Sequence, residues 1–159
     1  MRFLLPALLL FFAASLSAKD RLVLLATGLD KEAVAAQAKI KIDKIEGAKV
    51  SQMTAKSVAI EFDPAKVKEA DLKKSLTASG LKITGQKAFF KIKGLVCSSC
   101  SNNLIRTLAK EEGVVFVNSI SHLTGQADVT FDPKKTSQAK IEAAVNATRY
   151  QVIKTTPTP

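Results

Sequence analysis

Tryptophan is absent from this chain, and tyrosine and histidine occur once each. Two cysteines are all it has. That excludes a small scaffold held together by several disulfides, so the core must be built from aliphatic packing. It also excludes a four-ligand structural zinc site, because two thiols and one imidazole do not supply the ligands. No paired carboxylates, nucleophile triad or phosphate-cradling glycine loop are found. Long apolar runs are missing except at the start, and that one is shorter than the roughly 20 residues a membrane-spanning helix needs.

That first run is informative. Arg2 precedes the apolar stretch 3–14, which small residues Ser15, Ser17 and Ala18 follow. A positive start, an apolar middle and a small-residue end form the pattern of a secretory signal peptide. Residues 1–18 are therefore expected to be removed, with cleavage after Ser17 as the alternative to Ala18, and the protein to be periplasmic or secreted. Cleavage leaves no integral membrane segment. It takes only Arg2 from a formal net charge of +10, so the exported protein stays strongly basic. Lysines such as Lys66, Lys68, Lys73, Lys74, Lys134 and Lys135 read mainly as solvated helix faces, able also to steer an acidic partner surface. Export and scarce aromatics argue against nucleic acid.

The chain repeats itself. Gly28-Leu29 is matched by Gly94-Leu95 and Glu46-Gly47 by Glu112-Gly113, both at an offset of 66 residues. Phe62-Asp63-Pro64 is matched by Phe131-Asp132-Pro133 at an offset of 69, the extra residues falling around His122 and Gly125. Three anchors in one order mark the duplication of a module. The first module reads as a strand over 22–26 and a helix capped by Asp30 and running to about 45. Its apolar stripe is Val34, Ala38, Ile42 and Ile45. A hairpin over 50–53 and 58–62, a helix over 67–79 and a strand over 81–84 follow. Gly85-Gln86-Lys87 reads as a short linker. The second module repeats the series: strand 88–93, a helix around Leu104, Ile105, Leu108 and Ala109, hairpin strands 114–120 and 127–131, helix 137–148 and strand 150–153. Residues 155–159 read as a disordered tail.

This is an α+β class: two tandem ferredoxin-like βαββαβ modules, each an antiparallel sheet with two helices on one face. Right-handed crossovers give each a strand order 4-1-3-2. The modules are expected to span 19–85 and 86–154. In that topology Cys97 and Cys100, His122 and Tyr150 converge on one rim of the second module.

Both cysteines lie in Gly94-Leu95-Val96-Cys97-Ser98-Ser99-Cys100, between a strand and a helix. Thiolates at i and i+3 at a helix start point into one site, where unpaired backbone N–H groups favour negative charge. Two soft ligands select Cu(I) and, by the same logic, Hg(II), with Zn(II) if further ligands join. An open two-coordinate ion can be attacked by an incoming thiol, which suits hand-over to a protein acceptor. Three other readings stand beside this one: a thiol–disulfide oxidoreductase, a structural disulfide, and an interaction module with incidental cysteines. His122 reads as an exposed loop residue, with a third-ligand role as the alternative. Met53 reads as core.

At these residues the second module resembles heavy-metal-associated domains. These are the fold of copper metallochaperones, of the metal-binding repeats of copper-transporting ATPases and of the periplasmic mercuric-ion-binding protein. The likeness is carried by Gly94–Cys100, by Glu112-Gly113-Val114 after the first helix and by Val129-Thr130-Phe131-Asp132 in the third strand, and covers roughly 88–154. It implies that Cys97 and Cys100 are metal ligands and that Tyr150 lies close to the ion. It implies a non-enzymatic protein whose partner, a transporter or acceptor metalloprotein, receives the metal. Three positions depart from the usual pattern. Leu95-Val96 replaces Met-Thr ahead of the first cysteine, leaving Leu95 as the apolar plug under the loop. Arg149 replaces the usual Gly before the tyrosine and puts a positive charge near an anionic site. The first module resembles the family only as a degenerate copy, with Lys31 and Val34 where the second has Cys97 and Cys100.

Overall fold

The computed structural model describes residues 19–153. The expected signal peptide and tail lie outside these residues. The first module is built from β1 (Asp20–Thr27), α1 (Glu32–Asp43), β2 (Ala48–Met53), β3 (Ser57–Phe62) and α2 (Glu69–Thr77), and closes with the start of β4 (Lys82–Lys93). The second takes over the end of β4 and adds α3 (Ser98–Leu108), β5 (Val114–Ile120), β6 (Gln126–Phe131), α4 (Gln138–Asn146) and β7 (Gln151–Ile153).

Alternation of apolar and polar residues makes the strands. In β1, Leu22, Leu24 and Ala26 are buried while their neighbours are not. Helical spacing makes α1, where Ala38 and Ile42 are buried and Val34 and Ile45 pack against the same cluster. Asp30 does not cap this helix. The N-cap is Lys31, which has extended backbone but no side-chain acceptor to offer, and no side-chain cap bond forms.

The residues 85–87 are not a linker either. They lie inside β4, a single strand of 12 residues shared by both modules. All seven strands therefore form one sheet, in the order β2-β3-β1-β4-β6-β5, with β7 also on β4. Each module keeps the expected order 4-1-3-2 around its part of β4. Residues 82–87 pair with β1 on one edge. Residues 91–93 pair with β7, and 86–91 pair with β6. At the crossing point Gln86 is opposite both Leu24 and Phe131. Directly paired residues point to the same face. Leu24 belongs to the first core and Phe131 to the second, so both cores, with their helices, lie on one face.

A bulge makes this continuity work. Leu25 pairs with Gly85 but Ala26 with Ile83, which leaves Thr84 as an extra residue on β4. The extra residue resets the alternation, so Ile83 faces the first core and Ala88, Phe90 and Ile92 face the second. A Cβ added at Gly85 would come within 3.1 Å of Leu25 Cδ1, so the close strand contact favours glycine there. Buried Gln86 donates from Nε2 to Glu69 of α2 at 3.3 Å. On the opposite face, Lys87 pairs with Asp128 at 2.9 Å, and Asn118 donates to Asp128 and Thr130.

Candidate metal site

The loop between β4 and α3 is positioned from below by apolar side chains. Leu95 and Cys100 are buried in the second core with Leu104 and Tyr150. Leu95 is thus the plug that the sequence implies, while its neighbour Val96 is 83% exposed. Gly94 starts the loop at φ 96, a left-handed conformation that costs glycine least. A Cβ there would sit 3.5 Å from the Tyr150 ring, which locates the tyrosine against the loop.

Cys97 is the N-cap residue of α3, with extended backbone. Its Sγ accepts from the Cys100 N–H at 3.3 Å, and its carbonyl accepts from the N–H groups of Cys100 and Ser101. Cys97 is exposed and Cys100 is 4% exposed. The two sulfurs are joined as a disulfide, with Cα atoms 5.2 Å apart. One sulfur therefore faces solvent and the other the core. Reduction leaves two thiolates side by side at the helix start, a geometry that a linear two-coordinate ion can bridge.

One side chain reaches across to this pair. Arg149, in the turn between α4 and β7, reaches back across the rim, and its Nη2 is 3.9 Å from Cys100 Sγ. Its Nε and Nη2 also donate to the Tyr150 hydroxyl at 3.2 and 3.1 Å. The hairpin loop carrying His122 joins the same end of the module, where Ile92 N–H donates to the Gly125 carbonyl at 2.7 Å. His122 is half-buried in that turn. Among the described residues no three His, Cys, Asp or Glu side chains are grouped as a metal cage. The pair therefore stands without a third ligand of those types.

One buried group escaped the sequence reading. Ser101 follows Cys100 on α3, is buried, and its Oγ has no hydrogen-bond partner among the described residues. A serine amid Ser98, Ser99 and Ser101 gives no sequence signal for which hydroxyl turns inward. Met53 is half-buried and packs on the first core, as expected of a core side chain.

No protein-family model matches the chain. The mercuric transport protein periplasmic component of Serratia marcescens is 35% identical over 65 residues, 41% of this chain and 70% of that protein. The chain belongs to the heavy-metal-associated domain family. A copper-exporting P-type ATPase of Bacillus subtilis is 26% identical over 140 residues, covering 86% of this chain but 17% of the ATPase. The chain thus spans about a sixth of the length of that member of the family. Among solved structures, the N-terminal soluble domains of Bacillus subtilis CopA match with 24% identity and a TM-score of 0.43, over 86% of this chain and 94% of that one.

Proposed function

We propose that this is an exported metal-binding protein that captures one soft cation through the Cys97 and Cys100 thiolates and passes it to a protein acceptor. The ion is Cu(I), with Hg(II) as the alternative; Zn(II) would need ligands from outside the pair. The observation that carries this is the placement of both cysteines at the start of α3, held at one rim with Leu95 beneath and Tyr150 alongside. The family membership supports it, as do the copper and mercury named for the relatives.

The chain's own residues define the sequence of events. The disulfide must first accept two electrons from a thiol reductant, since only thiolates ligate. Exposed Cys97 is the sulfur an incoming thiolate can reach, and buried Cys100 is then released beside Arg149. Two thiolates at the helix start then hold the ion linearly, with the N–H groups of the first turn facing their charge. Transfer runs through the open side, where an acceptor thiolate attacks the ion and displaces Cys97 first. No bond order changes in the protein during that exchange, so no enzyme chemistry is required. The signal-peptide pattern of 1–18 supports a periplasmic or secreted location, and the basic surface suits an acidic acceptor. The first module, with Lys31 and Val34 in place of the cysteines, serves as a structural or docking unit.

Anaerobic titration of the reduced mature protein with Cu(I), against a competing chelator, tests the reading. One ion should bind per chain, and Cys97→Ser or Cys100→Ser should abolish binding. Failure to bind, together with catalysis of disulfide exchange in a reduced substrate protein, would establish the oxidoreductase instead.

A further inference from the structure

Arg149 is the one cation that reaches the cysteine pair among the described residues. It forms no ion pair there, so its charge is not spent on a carboxylate. The guanidinium is held by one neighbour, Tyr150. Its Nε and Nη2 donate to the Tyr150 hydroxyl, and its central carbon lies 5.3 Å from the Tyr150 ring centroid. Tyr150 is itself buried, which fixes the anchor. The same Nη2 then lies 3.9 Å from Cys100 Sγ. Arg106 on α3 and Lys110 just past its end line an open groove with Arg149 and Tyr150 that the cysteines themselves do not line, and Glu111 is its one acidic group. Of the cations in that groove, Arg149 is the one that comes near a sulfur.

Charge counting at the sulfurs separates the two candidate ions. Two thiolates around a monovalent ion carry one net negative charge. Around a divalent ion they carry none. A fixed cation beside the sulfur stabilises the first complex and is nearly indifferent to the second. Resting on the reading of Cys97 and Cys100 as ligands, we propose that Arg149 is a specificity-determining residue that tilts the site towards the monovalent soft ion, Cu(I), over Hg(II). It does so through charge and position and does not ligate the ion. Tyr150 acts through Arg149, as the group that positions it.

The effect is moderated by solvent, since Arg149 is exposed. A change on the order of tenfold at low salt is the size to expect for one charge at this distance near a surface. Affinities for both ions are measured on the reduced protein, using a chromophoric chelator for Cu(I) and a competing small dithiol for Hg(II). Arg149→Gln should lower the ratio of Cu(I) to Hg(II) affinity about tenfold, because the two complexes differ by one charge whatever the protonation of the free thiols. Arg149→Lys, which keeps the charge, should recover part of the loss. Raising the salt should shrink the difference between wild type and Arg149→Gln, because screening acts on the charge term alone. An unchanged ratio of the two affinities would reduce Arg149 to a structural role and overturn the proposal. Wild-type protein that binds neither ion would instead overturn the ligand reading, and the inference with it.

Discussion

Cys100 and Val34 occupy equivalent places in the repeat, and their surroundings show why only one became a candidate site. Cys100 is buried against Leu95, Leu104 and Tyr150, and its loop partner Cys97 turns a sulfur toward it. Val34 packs on the first core, and the loop partner Lys31 presents a long cation with nothing to accept a bond. The cysteine pair was legible in the sequence because spacing alone sets it at one helix start. The approach of Arg149 was legible only as a nearby charge. Its reach to Cys100, 49 residues away in sequence, and its anchor on the neighbouring Tyr150 hydroxyl depend on side-chain geometry, for which periodicity carries no signal. Away from the site, Lys66 lies 2.9 Å from Glu46, and its hydrogen bond and charge hold the Glu46 carboxyl below the usual glutamate range. A carboxyl lowered in the folded state contributes above its unfolded value and loses that contribution as pH falls through its folded one. Titration by NMR should find Glu46 with a midpoint below an ordinary glutamate, moving back towards it in Lys66→Gln. An unchanged midpoint in the variant would show that Lys66 is not the cause.

At the scale of elements, the helices differ in how they begin. The α4 N-cap is Ser137, whose Oγ accepts from the Lys140 N–H at 3.4 Å. The α1 and α2 caps are Lys31 and Lys68, neither with a side-chain bond. Serine ahead of a periodic apolar run is a strong start signal, and the second module's last helix was placed within a residue at that end. Asp30 offered the same kind of signal for α1 and misled, because the turn after Gly28 carries the chain one residue further before the helix starts. Ser137→Ala should therefore cost about 0.5–1 kcal/mol in urea unfolding. Lys31→Ala should cost nothing measurable through capping. A Lys31→Ala loss matching that of Ser137→Ala would show that the caps do not account for the difference.

For the molecule as a whole, the repeat predicted two modules, two cores and the strand order within each. It did not predict their union. Gly85-Gln86-Lys87 has the composition of a turn, and the bulge at Thr84 breaks the alternation that marks a strand. Local pattern therefore pointed to a break where pairing on both edges maintains the strand. Backbone NMR relaxation should give one rotational correlation time for both modules. A flexible Gly-Ser insertion between Lys87 and Ala88 should split it into two. Two values in the uninserted protein would contradict a common sheet.

The shared strand has a geometric consequence for anything that meets this protein. A tethered module samples many bearings and must find its docking pose anew at each encounter. Here β4, about 40 Å long at strand rise, runs from the first module's helices to the loop that carries Cys97. Whatever grips the first module aims the cysteine rim at the same time. On the docking role proposed for it, the cysteine-free half would work as a fixed handle, and the orientational search would be over before the sulfurs arrive.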